Sequence, residues 1–379
     1  MDQQTKVQVL KDLIRINTAN DHEKQAAVYL QRLFKDYGIS SQLVEYAPDR
    51  DSLVAELDSG QEGPVLVLAG HLDTVALGDR DRWEHDPLSA DEVNGKIYGR
   101  GSVDMKSGLA AMAITLIELK EAGLPQKGKL RFLGTVGEEL GAMGSEQLTD
   151  QGFVEDATAM IVGEPTGGNI VYANNGSIGY TIKSFGKSVH SSMPQTGVNA
   201  VENLAQFLVA EKHAFDDAPS SPVLGKPVHS VNVFQGGSQL NIIPDYAEAQ
   251  GNIRPVPECD NEACIGRIQQ TVDKLNQQPG FNLELEVRFS FRPVANDPEG
   301  EFVQLVKEAH QQAFGNAPAM NVIHGASDAS NYIKAVHCPM LLLGAGDWSL
   351  AHQVNEHVAV DNYLKVNATY ENVAKQYLA

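Results

Sequence analysis

The chain is short of cysteine, of basic residues and of long apolar runs, and each shortage excludes something. Three cysteines, Cys259, Cys264 and Cys338, form neither a disulfide framework nor a Cys-x-x-Cys metal site. Only 29 Lys+Arg stand against 49 Asp+Glu, a formal balance of −20 over 379 residues. Such a surface is repelled by phosphate backbones and anionic lipid, so no nucleic-acid and no membrane partner is expected. No apolar run approaches the ~20 residues of a membrane span. The opening stretch, MDQQTKVQVLKDLIRINT, has a helical period and no signal-peptide apolar core, so the expected location is cytoplasmic.

What is there is an ordinary globular composition, 42% hydrophobic, in a chain long enough for two domains. Val7, Leu10, Leu13 and Ile14 recur at helical spacing, as do Ala26, Ala27, Leu30, Leu33 and Phe34, with Gly38 at the helix-stop position. Strand-like runs follow in SSQLVEY, SLVAEL and PVLVLAG, the last apolar on both faces like a covered parallel strand. A long apolar helix spans 107–122, and strands return at KLRFLGTV and ATAMIVG. The pattern is α/β layering around one sheet.

The style changes near Gly176. SIGYTIKSF alternates, and LELEVRFSF places Leu283, Leu285, Val287, Phe289 and Phe291 on one face. Between them lie a helix through Leu204 and Phe207, strands around HSVNVFQ and AEAQGNIR, and a helix through Ile265, Ile268, Val272 and Leu275. The order β-α-β-β-α-β is the split βαβ, ferredoxin-like α+β arrangement. Residues 176–291 therefore read as an inserted domain, and 1–175 with 292–379 as one discontinuous α/β domain.

Apolar strands of the first domain end in metal-ligand residue types. PVLVLAG leads to His71 and Asp73, KLRFLGTVG to Glu138 and Glu139, ATAMIVG to Glu164, and PMLLLGAG through a loop to His352. Asp104 lies in GRGSVDMKSG, just before the long helix. Taken singly, each has an ordinary explanation. Adjacent glutamates make a solvated face, Asp104 caps the following helix, and Glu164 before Pro165 closes a turn. Their recurrence at strand ends, where open α/β sheets form a ligand crevice, is the signal. Two histidines and three carboxylates are too many ligands for one tetrahedral zinc that keeps a water. They suit a co-catalytic pair of divalent ions. Glu138 is then free to act as base, on an extended segment that turns it away from Glu139. Asp73 is placed to accept the second ring N–H of His71. GRGS lacks the third glycine of a dinucleotide fingerprint, GKS at 186–188 lacks the earlier P-loop glycine, and GxSxG and HExxH are missing. His85 and His357 read as surface or structural residues.

GHLDTV (70–75), GRGSVDMKSGLAA (99–111), GTVGEELGAMGS (134–145), VGEPT (162–166) and AHQVNE (351–356) occur in that order. Together they resemble the signature blocks of the M20 metallopeptidases, the acetylornithine deacetylase and succinyl-diaminopimelate desuccinylase group. The resemblance implies a zinc-exopeptidase-like three-layer catalytic domain carrying an inserted lid and dimerisation domain, in a homodimer. It implies two Zn²⁺ per subunit, with Co²⁺ as a substitute. His71 and Glu164 would hold one ion, Glu139 and His352 the other, and Asp104 would bridge them. Glu138 would be the general acid/base, with Asp73 behind His71. In the inserted domain GKSVHSS would offer His190 to the neighbouring subunit's oxyanion, NIRP would offer Arg254 to a substrate carboxylate, and QLNIIPD would supply Asn241. The implied substrate is a small N-acyl amino acid. Desuccinylation of N-succinyl-L,L-2,6-diaminopimelate leads, N-acetylornithine deacetylation or a related deacylase or peptidase activity of the group is the alternative, and a non-catalytic metal- or peptide-binding relative is the remote one. GASDASNY (325–332) departs from the T-D-A-R-F run of many desuccinylases, with Ser327 for the Thr and Ser330 for the Arg.

Overall fold

Val65–His71 is buried along its whole length because it runs parallel to a neighbour on each side. Those neighbours are Lys129–Thr135 and Ala159–Val162, and Met340–Leu342 extends the parallel set beyond the latter. Arg50–Asp58 and Ser41–Ala47 add an antiparallel edge beside Lys129–Thr135. The computed structural model describes residues 1–379. They divide into two units, Met1–Tyr172 with Ala295–Asn321 and Ser327–Ala379, and Ala173–Val294 with Val322–Ala326. No helix is long and apolar enough to cross a membrane.

Along the parallel strands both sheet faces are buried, which removes the hydrophobic-polar alternation of a half-exposed strand. Leu66, Leu68, Phe132 and Ile161 join one core with Leu10, Leu13, Leu30 and Phe34 of the Gln3–Arg15 and Lys24–Asp36 helices. Lys106–Glu121 lies deep in the same core and is apolar nearly all round, as a fully buried helix must be. It approaches the sheet closely. A Cβ on Gly108 would collide with the carbonyl of Gly163. That contact pins the start of the helix, just after Asp104, to the strand end that carries Glu164. The four parallel strands thus bring their carboxyl ends to one edge, where His71, Glu138, Glu139 and Glu164 stand.

The second unit has the β-α-β-β-α-β order. Its antiparallel sheet runs Val228–Gly236, Tyr246–Arg254, Ser177–Phe185, Leu283–Phe291. Ala200–Glu211 and Asn261–Asn276 are its two helices, capped by Asn199 and Asp260. One expectation fails here. Leu283–Phe291 does not keep its apolar residues on one face, because the register shifts between Val287 and Phe289. The extra residue of this bulge sends Phe289 and Phe291 opposite Gly179 and Ser177. Leu285 and Val287 stay opposite Ile182 and Tyr180. A second shift is small: Cys264, not Ile265, is the first apolar residue of the buried stripe of the Asn261–Asn276 helix.

Candidate metal centre and active site

Asp104 is the hub. It does not cap the helix that follows, whose N-cap position is Met105 and has no side-chain cap. Its two carboxylate oxygens face two different histidines instead. His71 Nε2 is 3.1 Å from Oδ1, and His352 Nε2 is 3.3 Å from Oδ2. His352 Nε2 also lies 3.0 Å from Glu139 Oε1. Ligand atoms of His71, Asp104 and Glu139 all fall within 4.8 Å of one another. Glu164 is buried beside this group and acts on His71 through charge, but no hydrogen bond or ion pair joins it to the others. Its Oε1 is buried with no hydrogen-bond partner.

Glu138 and Glu139 do not lie on an extended segment. Gly137 adopts φ +66°, a conformation that favours glycine, and the chain then makes a single 3₁₀ turn over Glu138–Leu140. The tight turn separates the two carboxylates in place of strand alternation. Both turn amides are held by Asp73: Glu138 N–H donates to Oδ1 and Glu139 N–H to Oδ2, each at 3.1 Å. The Asp73 carboxylate is therefore occupied, and it stands 3.6 Å from His71 Nδ1. The main-chain carbonyl of Asp73 accepts from Nδ1 at 3.0 Å instead. That bond fixes the tautomer and leaves Nε2 directed at Asp104. No group donates a hydrogen bond to the Glu138 side chain.

The electrostatics are those of acids crowded together with too little positive charge. Burial and the charge of Glu164 push the Glu138 carboxyl well above the usual range. Burial and Asp104 do the same to Glu164. Asp328, buried and hydrogen-bonded to Thr135 Oγ1 at 2.6 Å, is also raised by burial. Asp104 goes the other way. Burial would raise it, but hydrogen bonds from His352 and His71 hold it well below the ordinary carboxylate range. Bonds to Asp104 and Glu139 lift His352 to about 10. For His71, burial opposes charging, yet Asp104 and Asp73 keep it well above the ordinary imidazole value. The two imidazoles are the only groups in contact with Asp104 that can carry positive charge. The residues fit cations: the donors are of the imidazole-carboxylate type zinc takes, and the partnerless Glu164 oxygen and raised acids call for positive charge.

The three candidates of the inserted segment lie in the second unit. His190 pairs with Ile242 in a short ribbon, and Ser191 N–H donates to the Asn241 carbonyl at 3.0 Å, so His190 and Asn241 are neighbours. His190 Nδ1 meets Ser192 Oγ at 2.8 Å. Arg254 ends the Tyr246–Arg254 strand, half-buried, with no carboxylate beside its guanidinium; burial lowers its pKa. His85 and His357 each pack a tilted ring against Tyr98, with ring centres 4.5 and 4.7 Å away, in keeping with a structural role. Sequence reasoning did not single out Arg100, Glu356 or Asp328. Arg100 and Glu356 sit inside the recognised blocks at non-ligand positions, and only their opposite charge hinted at pairing.

The fold has close counterparts among solved structures. An aminopeptidase from Bacillus cereus superposes with a TM-score of 0.81 over 100% of both chains at 22% identity. A dinuclear metal-binding peptidase of the M20 family from Bacillus subtilis gives 0.76 over 99% of this chain and 98% of its own, at 17% identity. These define the architecture. In sequence, a Staphylococcus aureus (strain N315) protein named "Probable succinyl-diaminopimelate desuccinylase" is 33% identical over 98% of this chain and 97% of its own length. Residues 67–376 match the model of Peptidase family M20/M25/M40. The chain belongs to that family.

Proposed function

We propose that the protein hydrolyses N-succinyl-L,L-2,6-diaminopimelate to L,L-2,6-diaminopimelate and succinate, using two Zn²⁺ held as the family resemblance implies. The observation that carries the metal part is Asp104, one carboxylate whose two oxygens each face a different imidazole. That is the layout of a bridging ligand. His71 and Glu164 would hold one ion, and His352 and Glu139 the other. When bound, such a pair supplies Lewis acidity that acidifies water and polarises the scissile carbonyl.

The chain's own residues do the rest. Glu138, whose side chain receives no hydrogen bond, takes a proton at its carboxylate from the attacking water and returns it to the departing amine. Asp73 holds the turn on which Glu138 sits. Arg254, with no acidic partner and a planar fork suited to carboxylates, would take a substrate carboxylate. His190 and Asn241 would serve the acyl group, a role resting on the likeness of their blocks. A homodimer through the second unit is part of the same proposal. It is supported by apolar residues on that unit's edge strands, such as Val228 at 63% exposed and Phe234 at 41%. The succinyl substrate is supported by the name of the full-length relative. N-acetylornithine or a peptide is the second reading, favoured by Ser330, which stands where many desuccinylases carry Arg and is fully buried.

Chelation tests the metal part. Protein dialysed against a strong chelator is expected to lose hydrolysis of the succinyl substrate, and two equivalents of Zn²⁺ are expected to restore it. Undiminished turnover after complete metal removal would refute the proposal.

A further inference from the structure

We propose that Glu356, with Arg100 as its counter-ion, is a positioning residue for the Asp104 and His352 side of the metal centre; this rests on the two-ion reading above. Glu356 is fully buried, and Oε1 accepts two successive main-chain N–H groups, from Val103 at 2.8 Å and Asp104 at 3.1 Å. Its other oxygen accepts from Arg100 Nη1 at 2.5 Å. Arg100 is itself buried, stacks over Trp83, and spends its remaining donors on loop carbonyls. Nη1 reaches Gln353 O at 3.2 Å, Nη2 reaches His352 O at 3.5 Å, and Nε reaches Ala76 O at 3.2 Å.

Two features say that this is more than a buried ion pair. First, the His352 loop needs holding. His352 adopts φ +63°, a conformation uncommon for non-glycine residues that costs energy unless the surroundings hold it. His352 is also half-exposed, so packing does not fix its ring. Second, the arrangement repeats the one around Asp73. Asp73 lies two residues after His71 and binds the successive amides of Glu138 and Glu139. Glu356 lies four residues after His352 and binds the successive amides of Val103 and Asp104. In each case a carboxylate in the loop of one histidine ligand fixes the backbone of a carboxylate ligand from elsewhere in the chain. The centre is thus tied into one frame by two such clamps, and Arg100 extends the second clamp to the histidine itself.

Zinc titration of the metal-free full-length chain, followed with a competing chromophoric chelator, tests this with Glu356→Gln and Arg100→Lys. Lysine keeps the charge that neutralises Glu356, so the fold is preserved, but a single ammonium cannot fork to the His352 and Gln353 carbonyls. Wild type is expected to take two ions. Arg100→Lys is expected to bind the first, at buried His71 and Glu164, with wild-type affinity, whereas Glu356→Gln, which frees the backbone of the shared Asp104, is expected to weaken it as well. Both variants are expected to bind the second about 10–100-fold more weakly, the usual cost of losing an outer partner of a metal ligand. The circular dichroism of metal-free Arg100→Lys is expected to match wild type, with a lower thermal midpoint because the loop carbonyls lose their donors. If Glu356→Gln does not fold, Arg100→Lys carries the test alone. Two-ion binding in Arg100→Lys indistinguishable from wild type would overturn the clamp and leave the two-ion reading standing. A wild-type chain that takes fewer than two ions would overturn both.

Discussion

Glu138→Gln is expected to retain wild-type metal content while kcat falls by about 10²–10⁴-fold, the range for losing a positioned general acid/base. In the proposed site Glu138 is the base and not a ligand. Glu139 meets His352 at 3.0 Å, whereas the Glu138 side chain receives no hydrogen bond. The substitution keeps shape and removes the proton-accepting charge. It also spares the 3₁₀ turn, because the turn is held through the main-chain amides by Asp73. KM is therefore expected to change little against the fall in kcat. Metal analysis beside steady-state kinetics reads both at once. A variant that loses its metal would move Glu138 into the ligand set, and a fully active one would remove it from the chemistry.

Asp104→Asn is expected to be equally damaging for a different reason. Its two oxygens serve His71 and His352 separately, so a neutral amide with one acceptor oxygen cannot replace it on both sides. Bound Zn²⁺ is expected to drop from two ions to at most one, with hydrolysis falling below detection, since a paired site needs both ions to flank the reacting group. The main chain should hold its course, because Glu356 binds the amides of Val103 and Asp104 irrespective of the Asp104 side chain. Metal content measured after gel filtration, with circular dichroism as the fold control, checks this. Two ions retained in Asp104→Asn would show that the carboxylate does not bridge.

The layered domain was legible because its strands are buried on both faces, and an unbroken apolar run such as PVLVLAG has few other meanings. The gathering of the candidate residues was legible for a related reason: polar residues that recur where such runs stop mark one edge of a sheet. What escaped was whatever depends on a single backbone irregularity. Nothing in LELEVRFSF announces the extra residue that turns Phe289 and Phe291 to the other face. The spacing of Glu138 and Glu139 reads as an extended pair until the positive φ of Gly137 starts a tight turn. Asp73 was placed behind His71 by spacing, and proximity was the part that spacing can reach. That its carboxylate binds two amides and its carbonyl takes the imidazole is a matter of main-chain direction. Arg100 and Glu356 meet across 256 positions of chain, and a pairing at that distance has no local signature.

The measurement that tests the account most directly is kcat/KM of the zinc-loaded protein on N-succinyl-L,L-2,6-diaminopimelate and on N-acetyl-L-ornithine, side by side. A preference for the succinyl substrate of at least about tenfold, about 1.4 kcal/mol of transition-state discrimination, is the predicted result, with no turnover of either by the metal-free chain. Equal or better turnover of the acetyl substrate would contradict it, as would turnover of neither by protein that holds two zincs.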